Sequence, residues 1–180
     1  MKKMTAILMA LAMILSLASA ETTAVRLIPE GVQIGMNAEA IIALEEKDPD
    51  MDGSADSMRD IEYEDASFGE LKCQRAYILI DDSLKMTGMY LFEDNTPEAL
   101  AVLKQKISDE YGDASEVEPE TITKLFKEMS GQETPFTFSD ASAWQADENT
   151  VVMAFMVSQE EQSMCYVIYV SAEYLQSIGL

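Results

Sequence analysis

Histidine is absent from this sequence. It is the commonest general base, the commonest zinc ligand and the usual partner of a nucleophilic serine or cysteine, so most hydrolase mechanisms are excluded. The sequence also lacks a G-x-x-x-x-G-K-[ST] loop and a G-x-G-x-x-G turn, the two glycine motifs that cradle phosphate. We assign no catalytic residue and predict that the protein is not an enzyme. Paired carboxylates are the one alternative chemistry left open.

Basic residues are scarce, with 12 Lys and Arg against 33 Asp and Glu and a formal net charge of −21. A field of this sign repels nucleic-acid phosphates and anionic lipid headgroups, which proteins bind through clustered Lys and Arg. The composition therefore argues against a nucleic-acid partner and against binding to an anionic membrane surface. It is typical of a protein kept soluble by its charge.

The only long apolar run lies near the start of the chain, over residues 5–17, after two lysines. It is shorter than the ~20 residues that a membrane-spanning helix needs. Ala18-Ser19-Ala20 follows it with the small-x-small pattern of a signal-peptidase site. We predict a signal peptide over residues 1–20, cleaved after Ala20, and a secreted or periplasmic mature chain that does not insert into the membrane.

Three helices are predicted from caps and apolar spacing. Asn37 is a good N-cap for a helix that runs to about Glu46. Thr96 followed by proline begins a second helix that Gly112 ends. A third begins near Pro119 and ends at Gly131, and residues 172–180 are expected to add a terminal turn of helix. Between the first helix and the strands, residues 47–59 are expected to form an acidic loop.

Segments rich in β-branched and aromatic residues predict strands, and short turn clusters such as Asp81-Asp82-Ser83 separate them. The expected strands lie around Tyr63 and at 71–80, 86–92, 135–138, 143–145, 151–157 and 164–170. No linker and no internal repeat is visible, so residues 21–180 are expected to form a single domain. The predicted fold class is α+β: a two-layer domain with an antiparallel sheet and two or three helices packed on one face.

The acidic loop contains the most specific motif of the sequence. The segment from Asp48 to Asp56 resembles the D-x-D-x-D-G core of calcium loops, and Ca²⁺ prefers six to eight oxygen ligands. The candidate metal ligands are Asp48, Asp50, Asp52, Ser54 and Asp56. The loop departs from the pattern at its twelfth position, where Arg59 replaces the bidentate glutamate. A solvated acidic loop is the alternative, and any calcium bound here would be held weakly.

The two cysteines, Cys73 and Cys165, both fall on predicted strands. Export would permit a disulfide between them, and two buried free thiols are the alternative. The sequence leaves this choice open because the strand order is unknown. Trp144, Phe136 and Phe138 raise a similar choice between an aromatic interface and ordinary packing within the sheet.

The segment from Val32 to Ile41, continued by Leu44, resembles the helix entry of exported domains in the SmpA/OmlA group, which includes a small lipoprotein of the outer-membrane assembly machinery. A similar architecture occurs in the β-lactamase inhibitor protein. The resemblance implies helices beside an antiparallel sheet and a role in binding other proteins. The chain departs from the lipoprotein pattern because Glu21, and not a cysteine, follows the predicted cleavage site.

These observations predict an exported, non-catalytic interaction domain. Its expected partner is an unknown protein or a cell-envelope component, bound through the open face of the sheet. A weak calcium-binding extracellular module and a carboxylate-based enzyme are the two alternatives.

Overall fold

The computed structural model describes residues 31–55, 57–68, 71–91, 95–131, 133–160 and 162–180. The predicted signal peptide lies outside the described residues. Within the part of the chain that is described, no helix is long and apolar enough to cross a membrane.

The described residues contain four helices: α1 (Ala38–Glu45), α2 (Pro97–Tyr111), α3 (Pro119–Ser130) and α4 (Ala172–Ser177). The side chains of Asn37 and Thr96 accept hydrogen bonds from backbone N–H groups in the first turns of α1 and α2, as the sequence predicts. Gly131 ends α3 in the left-handed conformation, which a residue without Cβ adopts at little cost. The predicted positions of these helices are confirmed.

Within the described ranges, eight antiparallel strands form one sheet in the order β1-β2-β3-β4-β8-β7-β6-β5. Their bounds are β1 Met51–Ala55, β2 Met58–Phe68, β3 Leu71–Ile80, β4 Ser83–Leu91, β5 Ser115–Glu116, β6 Thr137–Asp147, β7 Thr150–Gln159 and β8 Gln162–Ser171. The predicted turn between β3 and β4 is confirmed. Asp81 and Asp82 both have positive φ there, as a two-residue hairpin turn of type I′ requires.

The order of the strands divides the sheet into two meanders whose last strands pair. Strands β1 to β4 form one meander, β6 to β8 form the other, and β4 pairs with β8 in the middle. Directly opposed residues of neighbouring strands share a face of the sheet. One such row crosses seven of the eight strands, from β1 to β6, and comprises Asp52, Ile61, Tyr77, Thr87, Tyr169, Val152 and Trp144.

The helices cover both faces of this sheet. Apolar residues of α1 pack with Tyr77, and those of α2 pack with Tyr169, so α1 and α2 share the face of the row above. Apolar residues of α3 and α4 pack with Phe155 and Ile168 on the opposite face. The central strands β7 and β8 are therefore buried on both sides along most of their length.

The predicted fold class is wrong in two respects. Helices lie on both faces and not on one, and the described part of the molecule is largely β, because its helices are small beside the eight-stranded sheet. The sequence contains a physical signal for the first difference. Residues 151–157 form a continuous apolar run, which is typical of a strand buried on both faces, whereas a strand with one wet face alternates.

Two strand assignments also differ from the expectation. The acidic segment 47–59 is not a single loop, because Met51–Ala55 pairs with β2 as an edge strand. The segment expected at 143–145 and the second half of the one expected at 135–138 belong to one strand, β6, which is interrupted by a bulge between Ser139 and Ser142. Asp140 has a positive φ of 50° within this bulge. The bulge breaks the alternating pattern on which the strand prediction depends.

Candidate functional site

A cleft opens on the face of the sheet that carries α1 and α2. It has a volume of about 360 Å³, which is in the size range of small-molecule sites. Its walls come from the segment before α1, the end of α2, strands β4 and β8 and the β6–β7 hairpin. The lining residues are Val32, Gln33, Ile34, Leu84, Thr87, Tyr111, Ala146, Asp147, Glu148, Asn149, Thr150 and Tyr169.

The floor of this cleft is buried and carries hydroxyl groups. Thr87 and Tyr169 face each other across the β4–β8 pair and are 1% and 3% exposed. The Tyr169 hydroxyl lies 3.4 Å from the hydroxyl of Tyr111, which reaches it from the end of α2. The Thr87 hydroxyl is buried and has no hydrogen-bond partner among the described residues. Since a buried unpaired hydroxyl costs about 1–3 kcal/mol, Thr87 is an unusual residue for a central strand that serves only packing.

The rim of the cleft is exposed and acidic. Asp147 and Glu148 lie in the β6–β7 hairpin, where the Oδ1 atom of Asp147 accepts a 2.7 Å hydrogen bond from the backbone N–H of Asn149. Among the described residues, no lysine or arginine lines the cleft. Burial raises the pKa of Tyr111, and the carboxylates of Glu110 and Asp147 raise it further. The potential around the cleft is therefore negative.

Tyr169 is the more deeply placed of the two phenols. Its pKa is raised, first by burial and then by its hydrogen bond with Tyr111. Tyr169 therefore stays protonated at physiological pH and can donate one hydrogen bond and accept another. Together with Thr87, it makes the floor a neutral hydrogen-bonding surface beneath an acidic rim.

A second depression, of about 450 Å³, lies beside β5, the short strand that the sequence does not predict. It is lined by Lys104 together with Glu116, Glu118 and Asp140. Burial lowers the pKa of Lys104, while the carboxylates of Asp140 and Glu116 oppose that change. Because no buried polar group without a partner lines this depression in the described chain, we do not assign a ligand to it.

The predicted calcium ligands occupy an edge of the sheet. Asp48 and Asp50 lie between α1 and β1, Asp52 and Ser54 belong to β1, and Asp56 lies outside the described residues. Within the described ranges, no group of three or more His, Cys, Asp or Glu side chains could hold a metal ion. The part of the segment from Met51 to Ala55 is a strand paired with β2, where the sequence predicted a loop.

Basic groups already pair with two of these carboxylates. Arg59 donates hydrogen bonds of 2.8 and 2.7 Å to the two oxygens of Asp52, and this pairing lowers the pKa of Asp52. Asp50 accepts a 2.9 Å hydrogen bond from the backbone N–H of Glu64, which lowers its pKa, and it also pairs with Lys47 at 3.4 Å. A calcium ion bound through Asp52 would have to displace the Arg59 guanidinium.

A buried polar network beneath α1 was not expected from the sequence. Arg75 of β3 donates a 2.8 Å hydrogen bond to Oε1 of Glu45, the last residue of α1, and the Tyr77 hydroxyl donates to the same oxygen. The side chains of Arg75 and Glu45 are only 8% and 9% exposed. The paired charges attach the end of α1 to the sheet, so we interpret the network as structural.

The two cysteines are buried and form no disulfide. Cys73 pairs with Leu91 of β4, and the β4–β8 register places Cys165 on the other side of that strand. Two residues on either side of an intervening strand lie about 10 Å apart, because neighbouring strands are separated by about 4.8 Å. That separation exceeds the reach of a disulfide, which requires Cα atoms within about 7 Å.

The aromatic side chains singled out by the sequence pack within the protein. Phe138 is 4% exposed and Trp144 is 2% exposed, and the indole N–H of Trp144 donates a 3.0 Å hydrogen bond to the hydroxyl of Ser108. Phe138 also contacts Phe126 of α3, with ring centroids 5.2 Å apart. Of the two interpretations open at the sequence level, packing within the sheet is therefore the one that applies to Phe138 and Trp144.

No protein-family profile, curated protein or solved structure matches this chain.

Proposed function

We propose that the mature chain is an exported, non-catalytic binding domain that holds a small component of the cell envelope or its surroundings in the cleft. The single observation that carries this proposal is the buried Thr87 hydroxyl, which has no partner among the described residues and belongs to a residue that lines a cavity of about 360 Å³. A bound molecule that hydrogen-bonds to this hydroxyl offsets the cost of burying it.

The sequence and the placement of charge support a role without catalysis. The chain has no histidine, and the two carboxylates that line the cleft, Asp147 and Glu148, lie on its exposed rim. Carboxylate catalysis generally depends on a pair whose environments separate their pKa values, and water at an exposed rim reduces such differences. We place binding in this cleft and not on the open sheet face that the sequence predicted, because α3 and α4 cover the part of the opposite face that belongs to the second meander.

The substitution Thr87→Val tests the proposal by separating stability from binding. Valine fills nearly the same space without a hydroxyl, so we expect the free energy of unfolding of the unliganded protein to rise by about 1 kcal/mol. Ligand binding in the cleft should weaken at the same time. Thr123→Val is the matched control, because the Thr123 hydroxyl already donates a 3.0 Å hydrogen bond to the Pro119 carbonyl. That variant should be less stable and should bind normally.

The binding arm uses the mature protein and a panel of neutral, cationic and anionic small molecules, followed by NMR of backbone amides. Wild-type protein should show shifts confined to residues that line the cleft, and Thr87→Val should reduce them. The proposal is overturned if no panel member shifts these signals, or if Thr87→Val is less stable than the wild type. The second result would mean that the hydroxyl has a structural partner.

A further inference from the structure

The cleft has two chemically different ends. Its floor carries the hydroxyls of Thr87, Tyr169 and Tyr111 on side chains that are buried or half-buried. Its rim carries the carboxylates of Asp147 and Glu148 on exposed side chains. A ligand that satisfies both ends needs a neutral hydrogen-bonding group at one end and a positive charge at the other.

The hydroxyl floor suits a neutral group better than an ion. Leu84 and Val32 are 1% and 5% exposed and lie against the same cavity, so a charge placed there loses most of its hydration. A ligand hydroxyl, in contrast, can both donate to and accept from the Thr87 hydroxyl. The rim is hydrated, and an ammonium group held there interacts with two carboxylates and with no competing cation among the described lining residues.

From this arrangement we propose that the cleft binds a small amino alcohol, with the ligand hydroxyl at Thr87 and its primary ammonium at Asp147 and Glu148. The inference rests on the proposed binding function and narrows it to one ligand class. A metal ion is a poorer match for the cleft, because the floor offers protonated hydroxyls and the described chain contains no cluster of three acidic or cysteine side chains.

The test uses three probes of equal chain length: 5-amino-1-pentanol, pentylamine and 1,5-pentanediol. The amino alcohol carries both groups, whereas each of the other two lacks one of the proposed contacts. Chemical-shift titrations of the mature protein should give the amino alcohol an affinity about tenfold higher than that of either analogue, which is the effect of one hydrogen bond or ion pair. Homologues with three to six carbons then define the length that fits best.

Two protein variants assign each contact. Thr87→Val should abolish the preference for the amino alcohol over pentylamine and leave its preference over pentanediol. The double variant Asp147→Asn, Glu148→Gln should abolish the preference for the amino alcohol over pentanediol and leave its preference over pentylamine. About 0.3 M salt should weaken the preference of the wild type for the amino alcohol over pentanediol, because salt screens the exposed ion pair.

A charge-matched control is needed because a protein of net charge −21 attracts any cation. The double variant Glu98→Gln, Glu173→Gln removes a similar amount of charge at exposed positions on α2 and α4. It should bind the amino alcohol as the wild type does. Equal weakening by both double variants would mean general attraction and would overturn the ammonium site.

The outcomes separate this inference from the function on which it rests. If pentanediol binds in the cleft as tightly as the amino alcohol, the ligand class is wrong and the binding function stands. If none of the three probes shifts the signals of cleft residues while a member of the broader panel does, the same conclusion holds. If neither the probes nor the panel affect the cleft, both proposals fail.

Discussion

Asp60 shows how the sheet changes the chemistry of a single residue. It lies in β2 on the face opposite α1, with Ile78 directly across on β3 and Glu62 two residues along the same strand. Its Oδ1 atom is buried and has no hydrogen-bond partner among the described residues. Burial and the nearby Glu62 raise the pKa of Asp60 from 3.8 to about 6. The folded protein therefore favours the protonated form of Asp60 more than the unfolded chain does.

This shift predicts a specific dependence of stability on pH. Because the pKa of Asp60 is higher in the folded state, the protonated acid contributes to the free energy of unfolding. This contribution is fully present below about pH 4 and is lost as pH rises to about 6. Asp60→Asn should remove this loss and raise the free energy of unfolding at pH 7 by about 1 kcal/mol, a figure reduced because the side chain is only half-buried. Urea unfolding at several pH values measures it.

The control is Asp113→Asn, because Asp113 is exposed in the segment after α2. That variant should follow the wild-type pH profile. If Asp60→Asn also follows the wild type between about pH 4 and pH 6, then Asp60 is ionised without penalty and the account of its environment is wrong.

At the scale of elements, two ion pairs that involve strands of the first meander differ in burial. The pair formed by Arg75 and Glu45 is buried and connects the end of α1 to β3, whereas the pair formed by Arg59 and Asp52 lies on a partly exposed hairpin. Burial removes both charges from water, so each partner of a buried pair depends strongly on the other. Solvent screens the hairpin pair, and its contribution to stability is small.

Removing one partner from each pair should therefore have unequal effects. Glu45→Ala leaves the Arg75 guanidinium buried beside Tyr77, and we expect it to lower the free energy of unfolding by about 3–5 kcal/mol. Asp52→Ala should lower it by less than about 1 kcal/mol. Urea unfolding followed by circular dichroism measures both losses. Losses of equal size would contradict the assignment of the first pair as the anchor of α1.

At the scale of the whole molecule, the β4–β8 pair makes one folding unit of two meanders. Five residue pairs, from Met86–Val170 to Tyr90–Tyr166, connect these strands. The core crosses the same boundary, because Cys73 of β3 packs in one cluster with Leu103 of α2 and Val167 of β8. The cleft also depends on this union, since its floor combines Thr87 from the first meander with Tyr169 from the second.

Shared packing predicts a single cooperative unfolding transition. Trp144 is the only tryptophan and lies in the second meander, whereas Glu45 belongs to the first half of the chain. Glu45→Ala should therefore lower the urea midpoint reported by Trp144 fluorescence as much as the midpoint reported by circular dichroism. Leu125→Ala opens a cavity beneath α3, in the second half of the molecule. It should lower the midpoints reported by fluorescence and by circular dichroism equally. An unchanged tryptophan midpoint in Glu45→Ala would show that the halves unfold separately.

The sequence by itself determined the features that depend on local contacts. The starts of α1 and α2 follow from Asn37 and Thr96, whose side chains bond to backbone only a few residues away. The end of α3 at Gly131 and the Asp81-Asp82 turn have the same local origin. These features can be predicted without knowledge of the fold because the interacting groups are neighbours in the chain.

Only the tertiary structure decided the strand order, and with it everything that combines distant segments. Strand β1 lies next to β2 in the chain, but its polar sequence has no strand pattern, so only the pairing with β2 defines it and brings Arg59 to Asp52 within the candidate calcium segment. Cys73 and Cys165 stay unbridged because β4 lies between them. The cleft arises from segments far apart in the chain, so no local pattern could have identified Thr87. Pairing between distant strands is a property of the whole chain, and local sequence does not encode it.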